Sequence, residues 1–151
     1  MIKEGQKAPN FNLPNQNGED TCLSDFLGKK VVLWFFPKAS TPGWTTEGQG
    51  FRDELEHYNN KDISIIGMSA DSVQKQKNFC DKQNFSYPIL ADETKETLKA
   101  YGAWGVKKMY GREYEGIIRC SFLINEEGIV EKVYDKVKTK SHAKDILSDI
   151  G

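Results

Sequence analysis

The feature that most constrains the fold of this chain is a run of six apolar residues from Val31 to Phe36, which Pro37 ends. The run is rich in β-branched and aromatic residues, which favour strands. A strand that is apolar at every position is buried on both faces, as the central strands of parallel sheets are. The run therefore predicts a central strand of an α/β protein.

Strand and helix patterns alternate along the rest of the chain. We predict strands at 63–68 and at 87–91, the second near an edge of the sheet. We predict helices at 45–58, at 94–101 and from Ser141 onward, and another that begins at a cap at Asp71 or Ser72 and runs to about Gln83. Hairpins are predicted at 11–23 and 120–134. This order predicts a mixed central sheet with helices on both faces and an N-terminal hairpin, as in thioredoxin-like folds. The 151 residues fit a single domain, residues 1–151.

Charge and hydropathy exclude several classes of partner. The formal net charge is −1, and Lys and Arg are scattered among Glu and Asp, so nothing favours binding to nucleic acid or to anionic lipid. No apolar run approaches the roughly 20 residues that span a bilayer. Residues Met1 to Gly5 lack the charged-then-apolar pattern of a signal peptide, so we expect a cytoplasmic protein.

The three cysteines, Cys22, Cys80 and Cys120, form no CxxC pair and have no histidine nearby in sequence. An odd number without such spacing argues against a secreted disulfide framework and against a zinc site. The sequence therefore indicates neither a metal nor a cofactor.

The segment from Phe36 to Glu47 joins the central strand to a helix and is the candidate site. Ligands of open α/β sheets bind outside the carboxyl ends of the strands. A helix N-terminus offers unpaired N–H groups and a partial positive charge, which would ionise a thiol there. The Thr41 hydroxyl could orient a substrate. By these physical arguments alone, an ordinary connection between a strand and a capped helix is the favoured interpretation, because strand–loop–helix units are common.

The spacing Pro37-x-x-x-Thr41-x-x-Trp44 resembles the peroxiredoxin active-site motif, in which the last position is a cysteine. The stretch VVLWFFPKASTPGWTTEGQGFRD at 31–53 resembles the bacterioferritin comigratory protein group, also called peroxiredoxin Q. The likeness covers essentially the whole chain, since it continues at 5–11, 87–92, 104–111 and 118–124. The resemblance implies reduction of peroxides by a cysteine thiolate, with thioredoxin or a similar dithiol as the reductant. It also implies a monomer or a weak homodimer.

The resemblance gives roles to individual residues. It implies that Pro37 shields the site, that the Thr41 hydroxyl binds the peroxide, and that Arg119 stabilises the thiolate and the developing oxyanion. The alternative for Arg119 is an ordinary ion pair at a strand end. Many members hold a resolving cysteine at position 49, which is Gln49 here, whereas others place it on the next helix, where Cys80 lies. Cys80 is thus the candidate resolving cysteine, or else a small helix residue without chemical importance.

Trp44 is the departure from the family pattern. An indole has no acidic proton near neutral pH, so it cannot act as the nucleophile. We therefore predict a peroxiredoxin scaffold that is inactive because Trp44 replaces the catalytic cysteine. The alternatives are a non-catalytic relative that binds a protein partner and residual redox chemistry through Cys80 alone.

Several further residues receive simpler interpretations. Cys120 is a poor substitute nucleophile, because Cys120 and Arg119 are neighbours along a strand and point to opposite faces. His57 and His142 are interpreted as surface histidines. We expect Trp104 and the loop at 109–111 to pack on the rim of the site or on the sheet.

Overall fold

The computed structural model of this chain describes residues 2–36, 42–109, 111–135 and 141–150. The strands are β1 (Asn12–Pro14), β2 (Asp20–Cys22), β3 (Lys30–Phe35), β4 (Ile63–Ser69), β5 (Ile89–Ala91), β6 (Trp104–Met109), β7 (Arg112–Ile117), β8 (Cys120–Ile124) and β9 (Val130–Tyr134). The helices are α1 (Pro42–Asp53), α2 (Leu55–Asn60), α3 (Val73–Gln83), α4 (Glu96–Ala100) and α5 (His142–Ile150), and Leu23–Phe26 forms a 3-10 turn.

Five strands form a mixed central sheet in the order β5-β4-β3-β8-β9. The central strand β3 runs parallel to β4 and antiparallel to β8. This pairing confirms the mixed sheet, and it confirms the prediction that the strand containing Pro88 lies at an edge, where β5 is found. In the antiparallel pair, Phe35 at the end of β3 lies opposite Cys120 at the start of β8.

The apolar run at 31–36 contributes to two hydrophobic cores. Its side chains alternate between the faces of the sheet, and every one of them is at most 1 % exposed. The odd-numbered residues pack against Leu98 and Tyr101 of the α4 region. The even-numbered residues pack against the four other helices, through residues that include Phe51, Tyr58, Phe79 and Ile146. Helices therefore cover both faces, as the sequence predicts.

The helix predicted at 45–58 is wrong in its boundaries. The structure has α1 from Pro42 and α2 to Asn60, and Glu54 between them adopts φ −96° and ψ 3°. Proline suits the first position of a helix, because its φ is already helical and its missing N–H is not needed there. The backbone bonds from Glu54 to Gly50 and from Tyr58 to Glu54 continue the helical pattern across the break.

A second hairpin outside the central sheet was not expected. Strands β6 and β7 pair antiparallel over their whole length, and Gly105 lies opposite Gly116. Of the loop expected at 109–111, Met109 ends β6 and Gly111 precedes β7 with φ +76°, whereas Tyr110 lies outside the described residues. Glycines and charged residues conceal the alternating apolar pattern that marks a half-buried strand. Among the described residues, no helix is long and apolar enough to cross a membrane.

Candidate active site

The candidate site lies where β3 ends and α1 begins. Position 44 is the third residue of α1, in its first turn. The predicted site residues Pro37 and Thr41 lie outside the described residues, as does the side chain of Trp44. Arg119 and Cys80 are described and can be placed.

Arg119 reaches the first turns of α1 from the neighbouring strand. It directly precedes β8, whose first residue lies opposite the last residue of β3. Its Nη1 donates a hydrogen bond to Oε1 of Glu47 in an ion pair. Because residues three apart share one face of a helix, Glu47 lies on the face that carries position 44. Arg119 does form an ion pair at a strand end, but its partner belongs to the helix of the candidate site.

Glu47 is a fully buried carboxyl group, with 0 % of its side chain exposed. Burial raises its pKa to about 7, although the charge of Arg119 and the hydrogen bond from it act in the opposite direction. Its second oxygen, Oε2, accepts no hydrogen bond within the described part of the chain. Nε2 of His142 lies 3.9 Å from that oxygen.

His142 is buried, so its interpretation as a surface histidine was wrong. Only 3 % of it is exposed, whereas the side chain of His57 is 65 % exposed, as expected. Nε2 of His142 lies 2.8 Å from Oγ of Ser121. The ring makes edge contacts with the rings of Phe51 and Tyr134 at centroid distances of 5.8 and 5.5 Å.

The environment of His142 disfavours its charged form. Burial lowers its pKa to about 4; Asp145 opposes this shift and Arg119 adds to it. The sequence did contain a signal for this burial. His142 precedes the buried Ile146 by four positions, so both lie on the same face of α5.

Both cysteines of the core are unreactive in this conformation. Cys80 is 3 % exposed, and burial, with a contribution from Asp81, raises its pKa to about 12. Cys120 is fully buried and belongs to the core on the other face of the sheet. Its pKa is likewise raised to about 12, chiefly by burial. Since the thiolate is the reactive form, neither thiol is a nucleophile at neutral pH in this state.

Hydrogen bonds tie α1 to the end of α3 and to the segment before β5. Nε2 of Gln49 donates to Oε1 of Gln83, and Nη1 of Arg52 donates to the carbonyl of Gln83, both at 2.9 Å. The Tyr87 hydroxyl donates to the carbonyl of Gly48 at 3.0 Å. Sequence reasoning did not find these contacts, although it had singled out Gln49 as the position of a resolving cysteine in many members.

Comparison with known proteins identifies what this arrangement is similar to. The model described as "AhpC/TSA family" matches residues 4–133. Peroxiredoxin Bcp of Bacillus subtilis (strain 168) is 43 % identical over 149 residues, which are 99 % of this chain and 95 % of that protein. Peroxiredoxin Bcp of Escherichia coli (strain K12) is 38 % identical over 147 residues, which are 97 % of this chain and 94 % of that protein.

Solved structures from Xanthomonas campestris superpose closely on this chain. Its bacterioferritin comigratory protein, described for alkyl peroxide reduction, has a TM-score of 0.91 and 34 % identity, covering 98 % of this chain and 97 % of that one. Two structures of its peroxiredoxin Q each carry one cysteine-to-serine replacement, at different cysteines. They are 37 % and 36 % identical, and each has a TM-score of 0.88 and covers 93 % of this chain and 89 % of that one.

Proposed function

The chain belongs to the AhpC/TSA family, in its Bcp or peroxiredoxin Q group with a thioredoxin-like fold, and on that premise we propose that it is a peroxide reductase scaffold disabled by Trp44. Family membership supports a thiol peroxidase function, with a peroxide as substrate and a thioredoxin-type dithiol as reductant. In our proposal, activity is lost because this sequence has an indole where the family motif has a thiol.

The placement of Arg119 is the observation that carries the proposal. A guanidinium remains charged at every useful pH and presents fixed donors, so it suits a site where negative charge develops. The Glu47 ion pair holds Arg119 on the face of α1 that carries position 44. A fold that does not carry out catalysis would have no evident use for a buried carboxyl group and a guanidinium at this turn of the helix.

The chemistry follows if a thiol occupies position 44. The helix N-terminus and Arg119 would both lower the pKa of that thiol, so that the thiolate forms near neutral pH. The thiolate sulfur attacks one peroxide oxygen, the O–O bond breaks, and the leaving oxygen takes up a proton to become water or an alcohol. The sulfur is thereby oxidised to a sulfenic acid. In our proposal, Thr41 orients the peroxide and Pro37 shields it from water.

Cys80 is our candidate for the resolving cysteine. The two cysteines replaced in the Xanthomonas campestris structures are as far apart in that sequence as positions 44 and 80 are here. In resolution, the Cys80 thiol condenses with the sulfenic acid, an S–S bond forms and water leaves. Because Cys80 lies on α3 and is buried in the core to which Phe51 of α1 also belongs, we propose that α1 must open before this step.

Peroxide consumption tests the proposal directly. The chain and its Trp44→Cys variant are each supplied with hydrogen peroxide or an organic hydroperoxide and with thioredoxin. Removing the nucleophile of a covalent mechanism costs several orders of magnitude in rate, so only the variant should turn over. Trp104→Cys is the matched control, since it introduces a thiol at a half-buried tryptophan of β6 that packs against one core, whereas Phe51 of α1 belongs to the other. A folded Trp44→Cys variant no faster than that control would overturn the proposal.

The missing nucleophile also favours a second candidate, a non-catalytic protein that binds a protein partner through this fold. Retention of the same partner by the chain and by Trp44→Cys, with no turnover by either, would support it. We further propose a single domain over residues 1–151, a cytoplasmic location, and a monomer or weak dimer, which sedimentation at several concentrations would measure.

A further inference from the structure

We infer that His142, on the C-terminal helix α5, is a positioning residue of the candidate site: together with Ser121 it holds the buried Glu47 carboxylate in the place from which that carboxylate orients Arg119. This inference deepens the proposed function. Only its kinetic consequence rests on that function, because the geometry is a property of the chain as it stands.

The first step is the state of the Glu47 carboxylate. Its side chain is fully buried, Oε1 is bound by Arg119, and Oε2 accepts no hydrogen bond within the described residues. A buried oxygen without a donor is costly, and such groups are rare in folded proteins. The basic nitrogen facing Oε2 is Nε2 of His142, 3.9 Å away. This separation is longer than a hydrogen bond, so the two groups face each other without a direct bond.

The second step is the fixed orientation of the imidazole. Contacts with Phe51 and Tyr134 restrict the ring, while the 2.8 Å contact with Ser121 sets the direction of Nε2. Nε2 either donates to the serine oxygen or accepts from its hydroxyl, according to the tautomer. In the tautomer with a proton on Nε2, that N–H can be shared between the Ser121 oxygen and Oε2 of ionised Glu47. In the other tautomer, Nε2 can accept a hydrogen bond from Glu47 only when the Glu47 carboxyl group is protonated. An aliphatic or phenyl side chain offers neither interaction.

The third step is the path from α5 to the guanidinium. Residues 119 and 121 lie two apart along the start of β8, so they share one face of the sheet. Arg119 and Ser121 therefore reach Glu47 and His142 from the same strand. Among the described residues, the charged and titratable groups at this cluster include Glu47 from α1, Arg119 beside β8 and His142 from α5. Asp145 acts on His142 from its own helix, and the ring of Tyr134 from β9 contacts the imidazole.

The test on the chain as it stands uses the guanidinium NMR signals of Arg119. The sequence has three arginines, so an Arg119→Lys variant assigns the signal. His142→Phe keeps an aromatic ring between Phe51 and Tyr134 but removes the polar edge, and His142→Gln restores a polar group near the position of Nε2. We expect His142→Phe to shift the Arg119 signal and to speed its hydrogen exchange, and His142→Gln to recover most of the change.

The matched control is His57→Phe, which alters the other histidine of the chain, at an exposed site. An Arg119 signal that moves no more in His142→Phe than in His57→Phe overturns the inference, whatever the kinetics show. If His142→Phe does not fold, Ser121→Ala is measured in its place. It removes the hydroxyl at Nε2, and an unchanged Arg119 signal in that variant overturns the inference equally.

The kinetic test repeats these substitutions in the Trp44→Cys background. Because a misplacement of about 1 Å can cost on the order of 100-fold in rate, we expect His142→Phe to slow peroxide reduction between about tenfold and 100-fold. His142→Gln should restore the rate and its pH profile. An active background in which His142→Phe and His57→Phe are equally fast overturns the inference. An inactive background with a displaced Arg119 signal overturns the proposed function and leaves the positioning role supported.

Discussion

Glu47 and His142 are two buried titratable groups whose effects on stability run in opposite directions with pH. The pKa of Glu47 is raised from 4.5 to about 7, so the folded protein holds a proton there that the unfolded chain has already lost. Its contribution to the free energy of unfolding therefore falls as pH rises through this window. The pKa of His142 is lowered from 6.5 to about 4, so its contribution falls as pH drops through a window that largely overlaps.

We predict that Glu47→Gln stabilises the protein more at pH 8 than at pH 4.5. The neutral amide avoids the cost of a buried charge, and a pKa displaced from 4.5 to about 7 corresponds to roughly 3 kcal/mol. Urea unfolding across this pH range measures the difference between the variant and the parent chain. Exposed Glu56→Gln is the control and should leave the pH dependence unchanged. A difference for Glu47→Gln that does not grow with pH would contradict the prediction.

His142→Gln should show the opposite trend. Since the unfolded chain binds a proton at this position below pH 6.5 and the folded chain does so only near pH 4, acid weakens the parent fold by up to roughly 3 kcal/mol. The variant lacks that titration, so its stability relative to the parent should rise as pH falls from 6.5 to 4. The control is His57→Gln, measured by urea unfolding over the same pH range. We expect no rise in its stability relative to the parent, and that difference would identify burial of His142 as the cause.

At this scale, the sequence located some members of the site and not others. Position 44 was singled out because the spacing from Pro37 and Thr41 matches the family motif, and Arg119 because the stretch at 118–124 resembles the family. Glu47 was missed because a charged residue in a helix with many polar positions usually faces water. His142 was missed because its partners, Ser121 and Glu47, are distant in sequence. Long-range pairing of this kind depends on the antiparallel register of β3 and β8, which the sequence pattern alone does not specify.

At the scale of elements, α1 is held closely against α3 and the strand that follows it. A Cβ placed on Gly48 would lie 2.6 Å from Cζ of Phe85, a contact that folded proteins do not show. Hydrogen bonds hold the same helix: Gln49 and Arg52 each donate one to Gln83, and the Tyr87 hydroxyl donates one to the carbonyl of Gly48. The position of α1 is therefore set by contacts along its second and third turns, beyond the turn that carries the candidate site.

Two glycines of α1 give a matched pair of predictions. Alanine at an exposed helix position is favoured over glycine by about 1 kcal/mol. Gly50→Ala should gain part of this, because its Cβ would meet Ala143 at an ordinary 3.7 Å. Gly48→Ala should instead destabilise the protein by about 1 to 3 kcal/mol, the usual cost of overpacking. Thermal unfolding of both variants measures the difference, and equal melting temperatures would contradict the close packing of Phe85 on α1.

The sequence predicted most elements but not their limits. The apolar run at 31–36, the caps around Ser72 and the turn at Asn125 to Gly128 are strong local signals, and each marks the element that was expected. The start of α1 at Pro42 was missed because the preceding loop and the first helical turn have similar polar compositions. The β6–β7 hairpin was missed because its paired glycines and charges carry no alternating apolar pattern.

At the scale of the whole molecule, resolution by Cys80 requires the fold to open. In the Trp44→Cys variant, one equivalent of peroxide should produce an intramolecular disulfide that is lost in the same variant carrying Cys80→Ser. Its formation should be slower than peroxide consumption, because Cys80 is 3 % exposed and its pKa is raised to about 12. Mass spectrometry without reductant follows both steps. In the control, the Trp44→Cys variant with Cys22→Ser should form the disulfide unchanged. A disulfide that still forms in the Trp44→Cys variant with Cys80→Ser would contradict the assignment of Cys80 as the resolving cysteine.

The double burial of β3 has a consequence for how the molecule loosens. Strand β3 contributes side chains to both cores and pairs with β4 on one side and β8 on the other. Separating β3 from its neighbours would therefore disturb both cores. Regions with many buried contacts open only with the whole fold. The candidate site is attached to the end of this strand. One end of the site's backbone is thus anchored to a strand that contributes to both cores, whereas α1 contributes Phe51 to one core, so an opening of α1 would leave the other core in place.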